Sequence, residues 1–516
     1  MSFNTEEIVQ NIRVEFEFML QEVQESDERT ADDMERTLFK QMLGLGARLM
    51  LLFFRVRAAA SPHTPIETEK GDELPYHSEK KRDYYSIFGK LPLERPYFYA
   101  SGLSGTSPLD RELSLGDDCY SDLVREMAEY LGVDVPFAKV SQFFVRLLGQ
   151  SLSTQAVSSM VWEDASDVEQ YYAQKPAPAA ADEAAILVVQ ADGKGVPMVR
   201  ETAAVAKTRL GKGEKRSKKK EAIVTASYSI APHPRTPEDV VASFFHPQET
   251  QRPVSDRRIR PQNKHVWATL AGKDAALQRL ANHAERRDGD HIEQRVALTD
   301  GCDALQKRVE KHLSGYTLVL DFVHASEYLW NAANPLFGEK SPRRDRWVEH
   351  QAGQILSGHT DKVIADLQTL LHAPKRTKAQ RTALTATITY FQRNKPYMHY
   401  DQYLAQGWPI ASGVIEGACR HFVKDRCELS GMRWTQEGAE NLLRLRAVAE
   451  NGDWDDYHQF RKQQRHLRLY GVPLPDLLEP EQQALAPPDS GKIIRFDQTK
   501  KQSPKPLSPD QLLLAA

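Results

Sequence analysis

The stretch Ala185-Ile186-Leu187-Val188-Val189-Gln190-Ala191-Asp192-Gly193-Lys194-Gly195 constrains the fold most. A β-branched apolar run of this kind reads as a strand buried on both faces, which belongs in a sheet covered by helices. The run ends abruptly in a carboxylate, and glycines follow. An acid at the end of such a strand faces the crevice where open α/β sheets hold ligands, so Asp192 is the first candidate for a metal-binding group. An Asp-Gly pair after a strand is more often a turn. The other residues of the chain must decide between the two.

A chain of 516 residues with a 41% hydrophobic share has material for several packed cores, roughly two to four domains. Its net charge of −3 leaves no global basic excess, so any nucleic-acid surface must come from local clustering. Cys119, Cys302, Cys419 and Cys427 are scattered without a CxxC pair. That argues against a zinc ribbon or a disulfide framework and fits a reducing cytosol. The segment Met1-Ser2-Phe3-Asn4-Thr5-Glu6-Glu7 is acidic and lacks the basic-then-apolar order of a signal peptide. The apolar run Leu49-Met50-Leu51-Leu52-Phe53-Phe54 is too short to span a bilayer. The expectation is a cytoplasmic protein without a membrane segment.

Residues 1–60 form an N-terminal helical region, with helical periodicity over 5–58 and an acidic polar face, read as a solvated helix packing on a partner or on the body. Residues 75–172 carry short strands around Gly89, where basic and aromatic residues alternate, and then helices near 118–131, 136–148 and 152–172. The basic-aromatic mix suits phosphate contact with stacking, or an exposed β-ribbon with a small aromatic core. The three helices match a helix-turn-helix as well as an ordinary bundle. After the linker Lys175-Pro176-Ala177-Pro178, residues 184–330 alternate strand and helix, with strands at 185–191, 195–200, 222–231, 295–299 and 316–321 and helices near 266–287 and 303–313. This predicts a mixed sheet with helices on its faces. Residues 331–405 read as a helical insertion, 406–460 as the return to the core, and 480–516, rich in proline and polar residues, as a disordered tail.

Three acids form the candidate constellation. Asp192 closes one strand, Asp300 closes another, and Glu416 lies in the first turn of a helix for which Ser412 is a plausible N-cap. Two strand ends and a helix are rigid supports for carboxylates around hard cations, and a pair of Mg²⁺ ions flanking a phosphodiester needs such ligands. Each acid also has a plain reading. Asp300 precedes a glycine, and Glu416 with Arg420 and Lys424 makes a row that a surface ion-pair ladder explains. A fourth feature, Asp321 and His324, straddles a strand end. It is either a structural acid–histidine pair or a rival to Asp300. Asp300 is preferred because its strand comes fourth in order, the place beside the first strand in a ribonuclease-H-like sheet. The loop from Lys207 holds Lys212, Lys215, Arg216, Lys218, Lys219 and Lys220, dense enough to contact a phosphate backbone. Lys194 is a minor candidate for a phosphate contact beside the acids.

These stretches carry a resemblance. Gln190-Ala191-Asp192-Gly193-Lys194-Gly195-Val196, Arg209 to Arg216, Leu298-Thr299-Asp300-Gly301, Leu320-Asp321-Phe322-Val323-His324, Gly407 to Gly417 and Ser430-Gly431-Met432-Arg433-Trp434, leading to Gly438-Ala439-Glu440, occur in this order over about residues 80–460. In them the chain resembles bacterial insertion-sequence DDE transposases, most closely those of the ISKra type. The resemblance implies a ribonuclease-H-like core with an all-helical insertion before the last acid, and a preceding region that binds DNA. It implies Asp192, Asp300 and Glu416 as catalytic metal ligands for two Mg²⁺ or Mn²⁺ ions, Asp321 and His324 as supporting groups, and Arg433 and Trp434 as DNA contacts. Double-stranded DNA, as terminal repeats and target, and a homodimer or higher assembly on it are the implied partners. Related N-terminal regions often place cysteines where this chain has Tyr99 to Gly105, so end recognition by residues 75–172 would rest on the helix-turn-helix-like part. A nuclease without strand transfer, or a non-catalytic DNA-binding derivative, are the alternatives.

Overall fold

The computed structural model describes residues 5–25, 28–68, 71–199, 219–246, 259–429 and 431–475. The N-terminal periodicity resolves into two helices, α1 (Thr5–Gln24) and α2 (Ala31–Ala60). Thr30 starts the second: its backbone is extended and its hydroxyl accepts from the amide of Asp33, an N-cap that also ends any continuous helix over 5–58. The helices run antiparallel, as the Glu15–Arg48 pair and the Gln41-to-Glu22 hydrogen bond require. After two short paired strands, β1 (Ile66–Glu67) and β2 (Glu73–Leu74), comes the expected hairpin, β3 (Tyr76–Ser86) and β4 (Gly89–Phe98). Its charges largely serve the ribbon itself: Lys80 sits 3.3 Å from the Tyr97 ring centre, and Lys81 pairs with Glu94. Phe54 of α2 closes a small core with Leu91, Leu93 and Leu115.

Helices α3 (Pro108–Glu112), α4 (Asp122–Gly132), α5 (Phe137–Phe143), α6 (Thr154–Asp164) and α7 (Val168–Gln174) follow. The three helices read from the sequence are present. The second widens into a π turn over Phe144–Leu148 and stops at Gly149, and the third is interrupted by a 3₁₀ turn at Ala165–Asp167. Their apolar faces make one core around Val124, Val140, Phe144 and Val157.

The central sheet has five strands in the order β7-β6-β5-β8-β9. These are β5 (Ile186–Pro197), β6 (Lys219–Ile230), β7 (Gln262–Thr269), β8 (Gln294–Thr299) and β9 (Thr317–Leu320). The first three form an antiparallel meander, and β8 and β9 lie parallel to β5. The strands differ from the sequence expectation at two places. The strands read at 185–191 and 195–200 are one strand, because Gly193 and Gly195 stay extended and pair with Ile223 and Glu221 without a break. The helix read over 266–287 is two elements: Gln262–Thr269 is an edge strand, and Gly272, at φ +100°, turns the chain into α9 (Lys273–Arg287). The missed strand reads apolar only from Val266 to Ala268, a run too short for periodicity to separate strand from helix.

One face of the sheet, built from Leu187, Val189, Ala191 and Ala297, packs on α9 and α10 (Asp303–His312). The other face meets α8 (Pro237–Phe245), α11 (Phe322–Phe337), α12 (Pro342–Leu356), α13 (Thr360–His372), α14 (Lys378–Asn394) and α15 (Tyr400–Ala405) through Ile186, Val188, Val296 and Leu298. Further along that face, Val196, Val224 and Ala226 pack on a later group of helices. These are α16 (Gly413–Gly417), a π-helical stretch over Ala418–Lys424, α17 (Asp425–Cys427), α18 (Gln436–Glu450) and α19 (Trp454–Tyr470). Among the described residues, no helix is long and apolar enough to cross a membrane. The tail read at 480–516 lies outside the described residues.

Candidate active site

Strand register brings the acids together. Gln190 pairs with Leu298, and Thr299 with Leu320. Continuing the first ladder two residues sets Asp192 level with Asp300, and continuing the second by one sets Asp300 level with Asp321. Parallel neighbours lie about 4.8 Å apart, and residues at one level share a face. Asp192, inside β5, and Asp300 and Asp321, just past the ends of β8 and β9, therefore lie side by side on the face that also carries Val188 and Leu298. Lys194 follows Asp192 on that same face by the two-residue period.

Asp300 is held by its own turn. Its Oδ1 accepts from the amide of Cys302 (2.9 Å), and its carbonyl accepts from the Tyr390 hydroxyl (2.8 Å). Gly301 adopts φ +85°, and a Cβ there would fall 2.6 Å from the Tyr390 hydroxyl oxygen, so no other residue fits. Burial pushes the Asp300 carboxyl above its ordinary pKa, and the charge of Asp192 adds to the rise. The Cys302 amide and His324 pull the other way.

Glu416 is positioned by stitches from α16 to the sheet. The amide of Ile415 donates to Gln190 Oε1 (2.9 Å), and Gln190 in turn donates to the Tyr228 hydroxyl (3.1 Å). The amide of Ser412 donates to Asp321 Oδ2 (2.6 Å). The Cys419 thiol donates to Asp192 Oδ2 (3.3 Å), and burial, with Asp192 beside it, keeps it a thiol. Ser412 makes no side-chain cap; its hydroxyl points instead to Glu416 Oε1 at 3.4 Å.

Asp321 is fully buried, and its Oδ1 accepts from the amides of Val323 and His324. Burial alone would raise its carboxyl. The contacts from His324 and Ser412 outweigh that and hold it below its ordinary value. His324 Nδ1 stands 3.7 Å from Asp321 Oδ1, too long for a hydrogen bond but close enough that the carboxylate raises the imidazole to about 9. One ligand atom each from Asp321, His324 and Glu416 lie within 4.8 Å of one another, a spacing that can hold a cation.

The cationic residues named from the sequence are distributed differently. Lys212, Lys215, Arg216 and Lys218 lie outside the described residues. Lys219 pairs with Glu428 (2.6 Å), and Lys220 donates to Gln436 (2.5 Å), so both tie the foot of β6 to the C-terminal helices. Arg420 and Lys424 are exposed on the π-helical stretch, whose i to i+5 bonding displaces the straight i, i+4 row read with Glu416. Arg433 is exposed. Trp434 is half-buried, its indole donating to the Cys427 carbonyl (3.1 Å) and facing Phe137 and Arg426, a packing role that accounts for its place. Glu440 accepts from Thr269 and from the amide of Leu270, closing the end of β7. Gln190, Cys419 and Tyr390 were not singled out by sequence. Gln190 alone gave a signal, as the lone amide in an otherwise apolar buried strand. Comparison of the sequence with protein-family models found no match, and neither did a search of curated proteins.

Proposed function

We propose that this chain is a DDE transposase that cleaves and joins DNA strands with a ribonuclease-H-like core. The observation that carries the reading is the alignment of Asp192 with Asp300 on neighbouring parallel strands, with the Glu416 helix tied to β5 through Gln190 and Asp192 and to the end of β9 through Asp321. The sheet supports it: an antiparallel meander followed by two strands parallel to the first, in spatial order 3-2-1-4-5, is the arrangement expected for such a core.

The donors suit hard cations: Asp321, His324 and Glu416 are spaced to share one ion, and in this reading Asp192 and Asp300 add their carboxylates beside it. Asp192, Asp300 and Glu416 offer oxygen donors, as Mg²⁺ and Mn²⁺ prefer. Held by these three acids, two such ions would activate the attacking oxygen and stabilise the leaving oxygen of a phosphodiester. Asp321 is largely committed to three backbone amides. It acts as a positioning group that sets the Ser412 loop, and with it Glu416. Lys194, on the face of the acids, is suited to a DNA phosphate. No residue needs to form a covalent bond to DNA, because a water and then a 3′-hydroxyl serve as nucleophiles.

The test is nicking of supercoiled DNA by the purified chain in Mg²⁺ or Mn²⁺, followed by strand transfer with pre-cleaved 3′-hydroxyl ends. Asp192→Asn should lose both reactions while folding normally. Wild-type nicking retained in Asp192→Asn overturns the triad. Nicking without strand transfer reduces the protein to a nuclease.

A further inference from the structure

The α1–α2 hairpin is stabilised by one seam and displays another. Facing each other, α1 uses Ile8, Ile12, Glu15, Met19 and Glu22, and α2 uses Leu38, Gln41, Leu45, Arg48 and Leu52; each set is spaced alternately by three and four residues, as in paired helices. One residue further along each helix lies a second set. On α2 it is Phe39, Met42, Leu49, Phe53 and Val56, with Gly46, beside the Phe88 ring, completing the three-four spacing. On α1 it is Phe16, Leu20 and Val23.

One residue is about 100° of helix. In an antiparallel pair, equal rotation from the shared seam carries both stripes to the same side of the hairpin. The two stripes thus form one apolar face two helices wide. Among the described residues, β3 and β4 approach α2 mainly from another side, through Ala47, Met50 and Phe54, and the Phe88 ring at their turn lies against Gly46 at the edge of the face. All eight large side chains of the face are 43–54% exposed.

We propose that this face is a dimerisation surface that packs against the same face of a second copy, giving a two-fold four-helix bundle. A heptad seam is shaped to receive helices, and a two-helix face that meets its own copy closes without leaving an edge. The area suffices. Eight half-exposed large side chains present on the order of 700 Å² per copy, close to the ~800 Å² per partner of a standard stable interface. The charge on α1 disfavours a lipid surface as occupant: Glu6, Glu7, Glu15, Glu17 and Glu22 face a single Arg13, whereas membrane-bound helices carry basic polar faces.

The inference stands on this face alone and is independent of the catalytic reading; loss of nicking in an intact dimer counts against the latter only. Sedimentation of the full chain without DNA is expected to give a dimer at micromolar concentration. The double substitution Met42→Glu with Leu49→Glu should weaken association roughly 100-fold or more while circular dichroism is unchanged. Phe16→Lys reads the same effect from the other helix, should the double variant unfold. Val14→Glu with Phe18→Glu, exposed on the opposite flank of α1, should leave the dimer intact. A monomeric wild type, a dimer unaffected by both seam variants, or a monomer that floats with phosphatidylcholine vesicles overturns the proposal.

Discussion

Asp321 and Asp192 are neighbouring aspartates on one face of the sheet, yet their replacement should have different consequences. Asp321 is fully buried and accepts three backbone amides, so Asp321→Ala strands those donors and is expected to cost about 3 kcal/mol or more in urea unfolding. Asp192 is partly exposed, and Asp192→Asn should change stability by less than about 1 kcal/mol. Gly301→Ala combines a left-handed backbone with a clash against Tyr390 and should destabilise by about 3 kcal/mol. Asp300 and Glu416 were legible in the sequence because each sits where a regular element begins or ends, and Asp192 because it follows a buried apolar run and precedes Gly193, although β5 continues past it to Pro197. Gln190 and Cys419 were not legible as partners of α16 and β5. Their bonds join residues 225 and 227 positions apart, and such contacts leave no periodic trace.

At the scale of elements, long patterned segments were readable and short ones were not. The hairpin at β3 and β4 and the three helices before the linker follow from alternation and caps. The edge strand β7 did not, and its packing has a measurable result. His265 of β7 stacks on His283 of α9 at 4.2 Å between ring centres. Burial first, then neighbouring cations that include Arg279 and Arg287, hold both imidazoles neutral, with His283 lowered to about 3. The unfolded chain takes up these protons below the ordinary histidine pKa of about 6.5. Stability is therefore full above that pH and falls as pH drops toward 3, by up to about 1 kcal/mol per pH unit for each histidine. Denaturant midpoints measured from pH 7 to 5 should decline, and His283→Gln should flatten the slope. An unchanged slope would show that the pair is not held neutral.

Across the whole molecule, the C-terminal helix is tied to α4 and α6 by buried charge. Arg461 of α19 is almost fully buried and pairs with Asp122 (2.7 Å) and Asp164 (3.0 Å), and Asp164 also binds Arg125. Removing one partner strands the rest, so Arg461→Ala is expected to cost about 3–5 kcal/mol and to loosen this region in hydrogen exchange. Sequence order could place the helices but could not supply this pairing across some three hundred residues. The mixed sheet was legible, and so was the place of the Asp300 strand beside the first; the edge position of β7 was not. The central claim is that Asp192, Asp300 and Glu416 jointly hold divalent cations. Titration of the intact chain with Mn²⁺ in the presence of duplex DNA, read by electron paramagnetic resonance, tests it most directly. The account predicts about two ions per chain, reduced to one or none by Asp192→Asn in a folded protein. Unaltered Mn²⁺ uptake in Asp192→Asn, or no uptake by the wild type, would contradict it.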